Sequence, residues 1–291
     1  MIKNILDNFL HRTRNYFLNK NNTEIESKKF INNNIDKISS QRSTYIKDGY
    51  KVYSQNDEDG IIESIFSDIG IKNKLFIEIG IGNGIENNTH YLLLKNWTGL
   101  WIDINAKSIK GLNNLINNSN RLDFISKKIT PDNINKILNE FKTSKLKNNK
   151  KISNNIDFFS IDIDSSDIFC INALLEFRPR LICIEYNAKF PPSVKISIDQ
   201  NFNRSWDNDD YYGSSLSYIV DEMEKKEYKL ISTNISGSNA FFTTKELHPL
   251  CKTYNQSIND LYMPANYNLY DYYVTDKPTN KFLKDILKTN L

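Results

Sequence analysis

Four side chains in the second half of the chain, Asp162, Asp164, Glu185 and Asn187, have the types and spacing of a reaction centre. They close two apolar runs, Ile156-Asp-Phe-Phe-Ser-Ile161 and Leu181-Ile-Cys-Ile184. Runs of this kind read as neighbouring fourth and fifth strands of a parallel sheet, and ligands of such sheets bind beyond the carboxyl ends of the strands. Alternation puts Asp162 and Asp164 on the same side, provided the strand extends that far. Carboxylates gathered there must share a proton, bind a cation or repel. Three roles follow. Asp162 is best placed as a general base of raised pKa. Asp162, Glu185 and Asn187 together offer oxygen ligands to a Mg²⁺-type ion. The plain alternative is helix N-capping by Asp164 or Ser165, for which Asp164-Ser-Ser-Asp167 is a good sequence.

A second constellation lies upstream, in Leu75-Phe-Ile-Glu-Ile-Gly-Ile-Gly-Asn-Gly-Ile-Glu-Asn-Asn-Thr89. An apolar strand carrying Glu78 runs into Gly80, Gly82 and Gly84 and then into a polar helix start. Glycines let a backbone approach a ligand, and the free N–H groups of a first helical turn receive its negative end. A dinucleotide fingerprint would need a glycine at 85, where Ile85 stands, so the pattern is E-x-G-x-G-x-G instead. The next strand, Gly99-Leu-Trp-Ile-Asp-Ile104, carries Asp103, whose carboxylate can accept from both hydroxyls of a vicinal diol.

The elements that must position these groups alternate. Strands are expected at 74–79, 99–104, 122–126, 156–162, 180–187, 229–233 and 239–243, and helices at 61–69, 86–96, 106–117, 131–141, 164–177 and 213–226. Thr130 is the expected cap of the fourth helix, with Pro131 at its first position. The last two strands close the sheet as a hairpin. The fold class is therefore α/β, a doubly wound Rossmann-like sheet of seven strands whose last is antiparallel, with a helical N-terminal extension. Three regions result: an N-terminal amphipathic helix and polar linker (1–45), the α/β domain (46–245) and a tyrosine-rich tail (246–291) with one short helix near 279–288. The long loop 188–210 reads as a functional lid or a disordered segment. Its Trp206, Tyr211 and Tyr212 could stack on a sugar face or form the lid's own small core.

The 291 residues suffice for one substantial core, and 12% aromatic residues argue against general disorder. A net charge of +3 gives no bulk attraction to nucleic acid, which is not expected as a partner. Cys170, Cys183 and Cys251 have no metal-ligand spacing and read as buried free thiols of a reducing, cytoplasmic compartment. No apolar run is long enough to span a membrane, and no secretory signal is visible. Residues 1–19 place Ile2, Ile5, Leu6, Phe9, Leu10 and Phe17 on one face, beside Lys3, Arg12 and Arg14. Such a helix packs on its own domain, on a second copy in a homo-oligomer, or peripherally on an anionic membrane surface. His90 falls in the helix after the glycine turn, where a surface or packing role is expected.

The acidic-Gly-x-Gly-x-Gly strand end, with Asp103 closing the next strand, resembles the first two motifs of class I S-adenosylmethionine-dependent methyltransferases. A closer resemblance covers residues 50–245. Ser54-Gln-Asn-Asp-Glu-Asp-Gly-Ile61, the glycine stretch and Trp101-Ile-Asp103 are similar to motifs of the FkbM-type methyltransferases. So are Ser160-Ile-Asp-Ile-Asp164, Ile184-Glu-Tyr-Asn187, Tyr212-Gly-Ser-Ser-Leu216 and Ser238-Asn-Ala-Phe-Phe242. The chain departs at Ile163-Asp-Ser-Ser166, where better-known members carry an acidic-Gly pair. The resemblance implies S-adenosylmethionine as cofactor and methyl transfer to a hydroxyl of a small-molecule or glycan acceptor, as in surface-polysaccharide synthesis. It implies that Glu78, Gly80 and Gly82 line the methionine part of the cofactor and that Asp103 takes its ribose. Gly84, Asn88 and Gln55 are expected to complete the cofactor site, with Asn56 and Glu58 either covering the cofactor or capping a helix. The rivals are an NAD-dependent sugar-modifying oxidoreductase, disfavoured by Ile85 and the lack of a Tyr-x-x-x-Lys pair, and a non-catalytic cofactor-binding scaffold.

Overall fold

The computed structural model describes residues 44–105, 109, 112–143, 156–174, 176–200, 209–266 and 279–288. The expected N-terminal helix, its linker up to residue 43, the basic loop after Thr143 and Trp206 lie outside the described residues.

Seven strands form one sheet: β1 (Leu75–Ile79), β2 (Thr98–Asp103), β3 (Leu122–Ser126), β4 (Phe158–Ile161), β5 (Leu181–Glu185), β6 (Tyr228–Thr233) and β7 (Asn239–Thr244). Their order is β3-β2-β1-β4-β5-β7-β6. β1 to β5 pair in parallel, and β7 runs antiparallel to both of its neighbours. The expected doubly wound sheet with a reversed closing strand is thus present. β1 and β4 are buried throughout, as strands covered on both faces must be.

The helices are α1 (Glu58–Ile69), α2 (His90–Leu94), α3 (Asn113–Asn118), α4 (Ile134–Thr143), α5 (Asp167–Ala173), α6 (Leu216–Lys225), α7 (Ile258–Leu261) and α8 (Lys281–Lys288). Strand alternation divides the core. Ile77, Ile79, Ile102, Phe159, Ile161 and Ile184 pack with the apolar stripes of α4 and α6, while Phe76, Trp101, Phe158 and Phe241 pack with those of α1 and α8. Those stripes have helical spacing, Ile134, Ile137, Leu138 and Phe141 on α4 and Leu216, Ile219 and Met223 on α6. Ser215 caps α6 by accepting from the Tyr218 N–H.

Several boundaries move for local reasons. The helix expected from residue 86 begins at His90, because the Glu78 carboxylate binds the N–H groups of Asn88 and Thr89 ahead of it. The helix expected from 131 begins at Ile134. Thr130 does not cap it; the Thr130 N–H is itself bound by Asn133 Oδ1 at 2.9 Å. β4 ends at Ile161, so alternation along a strand is not what brings Asp162 and Asp164 together.

The C-terminal residues are built into the same packing. Thr233 Oγ1 and Tyr186 Oη donate to the carbonyls of Leu261 and Met263 at 2.5 and 2.6 Å, and Thr253 Oγ1 donates to Ile231 O at 2.8 Å. Leu283 and Leu287 of α8 are fully buried in the core beside α2 and α3.

Candidate active site

A cavity of about 1160 Å³ opens at the carboxyl ends of β1, β2, β4 and β5. Gln55, Gly80, Gly82 and Asp103 line one half, and Asp162, Asp164, Glu185 and Asn187 line the other. Sequence order keeps these groups up to 132 residues apart, and only the sheet order sets β4 beside β1.

The glycine turn is bound to the sheet by two different devices. Gly80 has φ +86°, and a Cβ there would overlap the Asp162 carbonyl oxygen, so the turn lies directly on the chain leaving β4. Gly82 has φ +56°, and a Cβ there would meet only open space. Its bare backbone faces the cavity and is free to meet a ligand. The Gly82 N–H donates to Asp103 Oδ2 at 3.1 Å, and the Asn105 N–H donates to Oδ1 at 2.7 Å. Asp103 therefore stands at the lip of β2 with Oδ2 turned toward the glycine loop and Oδ1 toward the loop that leaves β2.

Three expected cofactor residues sit elsewhere. Glu78 does not line the cavity. Strand alternation points it to the α1 side of the sheet, where its carboxylate accepts from Asn88 N at 2.8 Å, Thr89 N at 3.1 Å and the Thr89 hydroxyl. Trp101 Nε1 completes this knot by donating to Thr89 Oγ1 at 2.7 Å. Burial pushes Glu78 up to about 7, against the lowering effect of these bonds. Asn88 is buried as well, with its amide on Ser160 Oγ at 3.0 Å. Gly84 packs beside Ile109 and Trp101, off the cavity wall. These three hold the shape of the turn; Gly80, Gly82, Asp103 and Gln55 reach the cavity.

In the other half, carboxylate oxygens of Asp162, Asp164 and Glu185 lie within 4.8 Å of one another. Asp164 enters through a left-handed backbone with φ +54° in the loop after β4. That loop is held by Asp167, which accepts from Ile163 N at 2.9 Å and Ser165 N at 3.1 Å. The expected capping by Asp164 or Ser165 does not occur: the N-cap of α5 is Ser166, which makes no side-chain cap bond, and Asp167 ties the turn ahead of the helix instead. Glu185 Oε2 is buried, with no hydrogen-bond partner among the described residues. Burial raises Asp162 well above the usual carboxylate range, and the fields of Asp167 and Asp164 add to it. Glu185 is raised by burial and then by Asp162, and Asp164 is raised by burial alone. Raised in this way, these carboxyls bind protons more tightly than exposed ones and can exchange them with a bound acceptor.

Asn187 has a different task. Its amide Nδ2 donates to the carbonyls of Asp210 and Tyr212 at 3.0 and 3.2 Å, and its Oδ1 accepts from Lys189 N at 3.3 Å. The amide secures the loop that carries Tyr212 into the cavity.

A buried polar tie joins the 54–59 segment to the β6–β7 hairpin, and no reading of the chain anticipates it. Glu58 Oε1 accepts from Asn234 Nδ2 at 2.7 Å and Asn239 Nδ2 at 2.9 Å, and Asn234 Nδ2 also donates to Ser238 Oγ at 2.8 Å. Asn56 and Ser238, both on the cavity wall, are positioned by it. The signal available in sequence was two polar motifs flanking apolar runs, which does not say that they meet. His90 is buried and stacked on Tyr53, with centroids 3.9 Å apart, a packing role.

No family model matches the chain, and no curated protein does. Solved structures with a similar fold include a candidate caffeoyl-CoA O-methyltransferase from Staphylococcus aureus, at 14% identity and TM-score 0.41, covering 76% of this chain and 99% of that one. An S-adenosylmethionine-dependent methyltransferase from Clostridium acetobutylicum is similar at 11% identity and TM-score 0.36, covering 75% and 98%. The glycopeptide N-methyltransferase MtfA, complexed with S-adenosyl-L-homocysteine, is similar at 8% identity and TM-score 0.36, covering 63% and 86%. No argument rests on likenesses this distant; the fold is carried by the strand order and the site by its own geometry. Among the described residues no helix is long and apolar enough to cross a membrane.

Proposed function

We propose that the chain is an S-adenosylmethionine-dependent O-methyltransferase of FkbM type, acting on a sugar hydroxyl of a glycan or a related small molecule. One observation carries the reading. An open-backed glycine turn beside Asp103 faces a carboxylate trio of raised pKa across a single cavity. The donor half fits the cofactor, since Gly82 leaves room where a side chain would stand and Asp103 offers two oxygens to ribose hydroxyls. When bound, the cofactor supplies an activated methyl group on a sulfonium.

The chain's residues do the rest. Asp162 accepts the acceptor's hydroxyl proton, burial and its acidic neighbours having raised its affinity for one. Asp164 and Glu185 stabilise the proton on the shared carboxylate set, and Tyr212 offers an aromatic face to the sugar ring. Positioning two reactants in one cavity and excluding water supply much of the acceleration for a displacement of this type.

A second reading is favoured by the all-oxygen donor set. Asp162, Glu185 and Asp164 would hold a Mg²⁺-type ion that lowers the pKa of the acceptor hydroxyl. Asn187 lines the same cavity and could add its Oδ1, since the bonds to the loop are made by its Nδ2.

Calorimetric titration with S-adenosylhomocysteine and with NAD tests the donor. Saturable binding of the former is expected; binding of NAD alone would sink the reading. Labelled-methyl transfer to a panel of glycans, with and without chelator, tests the acceptor half. Loss of transfer in chelator selects the ion; unchanged transfer selects Asp162 acting directly.

A further inference from the structure

Two loops meet over the donor half of the cavity, and they differ in how they are held. The segment before α1 is pinned from behind by Asp59, which accepts from Val52 N, Tyr53 N and Ser54 N at 2.7, 2.6 and 2.8 Å. Its forward edge at Gln55, which lines the cavity, has no such anchor among the described residues. There the Lys51 ammonium donates to the Gln55 carbonyl at 2.9 Å and pairs with Glu86 at 2.8 Å. Glu86 belongs to the glycine loop and also lines the cavity. The Lys51 side chain is only 10% exposed, whereas Glu86 is 41% exposed. One cation thus bridges the two lips of the donor half. The only other direct tie between these lips among the described residues lies deeper, from Asn87 N to Tyr53 O at 3.0 Å.

We propose that Lys51 is a positioning residue that clasps the Gln55 segment onto the glycine loop at Glu86, closing the donor half over its ligand and setting how long that ligand stays. The proposal rests on the donor reading above and adds residues that the glycine and aspartate pattern does not contain. A partly exposed ion pair contributes little to global stability, so its removal frees the lip without unfolding the domain. The lip is a surface segment held at one edge by a few polar contacts, the kind of element that opens locally. Lys51 touches neither the donor nor the reacting atoms; it acts through Gln55 and Glu86.

The test measures S-adenosylhomocysteine affinity and dissociation rate on the full chain by calorimetry and stopped-flow fluorescence, for wild type, Lys51→Met, Lys51→Arg and Glu86→Gln. Expected are dissociation about five- to tenfold faster in Lys51→Met and an intermediate change in Glu86→Gln, matching the weight of a charge-assisted contact. Lys51→Arg keeps the cation and stays within about twofold. Raising the salt concentration speeds release from wild type and leaves Lys51→Met unchanged, since only the former has an ion pair to screen. All four melt within about 3 °C of one another. Lys51→Met with a wild-type dissociation rate overturns the clasp, as does a rate that simply follows the loss of melting temperature across the series. Wild type that fails to bind S-adenosylhomocysteine overturns the donor reading and the clasp with it, a result distinct from either.

Discussion

Replacing Gly80 and Gly82 separately by alanine separates the structural duty of the glycine turn from its ligand duty. Both residues have positive φ, +86° and +56°. Alanine at either site therefore carries a backbone cost of about 1–2 kcal/mol. At Gly82 that is nearly the whole cost, because the new methyl group meets no atom within 4 Å. At Gly80 the methyl group overlaps the Asp162 carbonyl, a backbone atom that moves only if the chain leaving β4 moves too. Adding the strain of separating β1 from β4 brings Gly80→Ala to about 4 kcal/mol or more. For a domain of this size each kcal/mol lowers the melting temperature by about 2–4 °C. Differential scanning fluorimetry should show Gly82→Ala melting about 3–6 °C below wild type and Gly80→Ala more than about 10 °C below, or failing to accumulate. Calorimetry with S-adenosylhomocysteine should then show Gly82→Ala, though folded, binding about tenfold or more weakly, since its methyl group occupies ligand space. A Gly80→Ala variant as stable as wild type would refute the close-approach argument. A Gly82→Ala variant with wild-type affinity would refute the assignment of that open backbone to the donor.

Three other outcomes follow from the same geometry. Glu78, Asp59 and Asp167 are raised by burial to about 7, 6 and 6, so the folded chain holds protons that the unfolded chain has released. Their stabilising contribution is fully present below the unfolded carboxylate range and is lost as pH rises through 6–7; urea denaturation of the ligand-free chain should give a higher unfolding free energy at about pH 5.5 than at about pH 8, by about 2 kcal/mol from Glu78 alone. The reverse slope would show these carboxyls to be stabilised in their charged form. Asp157 is fully buried and binds the N–H groups of Asn73 and Lys74 at 2.5 and 2.7 Å beside Arg180 Nε at 3.4 Å; Asp157→Ala should cost about 3–5 kcal/mol by chemical denaturation while Arg178→Ala, on a solvent-exposed ion pair, costs under about 1 kcal/mol. Asp162→Asn should leave S-adenosylhomocysteine affinity within about threefold and lower methyl transfer by about 10²–10⁴-fold, whereas Asp103→Ala should weaken that affinity first; equal loss of binding in both would dissolve the division of the cavity into two halves.

How much of this was legible beforehand depends on the range of the physics involved. The strands were, because buried parallel strands write themselves as unbroken apolar runs. The Gly80-Ile-Gly82 turn and Asp103 were, because φ > 0 and a strand-end carboxylate are properties of single residues in a local frame. That Glu78 and Asn88 turn away from the cavity wall was not legible. Their types suit a ligand equally well, and only the count of alternation from a known strand end, together with α2 starting at His90, shows that they face the sheet's own helices. That Asp167, rather than Asp164 or Ser165, ties the loop after β4 was hidden for a similar reason, since acidic and hydroxyl neighbours are interchangeable on paper and differ only in where the loop turns.

By itself the sequence determined which residues could do chemistry and that an α/β sheet would carry them at its carboxyl edge. Tertiary structure decided which of them share one volume. Asp162, Asp164 and Glu185 converge because β4 and β5 are neighbours and a left-handed residue turns the loop back, not because of alternation along one strand. Glu58 meets Asn234 and Asn239 across the domain, and Lys51 meets Glu86, through side-chain bonds spanning up to 181 residues. Backbone preference and hydrophobic period act over a few residues and can be read from the chain. Which polar group finds which partner is settled only when packing removes water and leaves each buried donor and acceptor the few neighbours that the fold supplies.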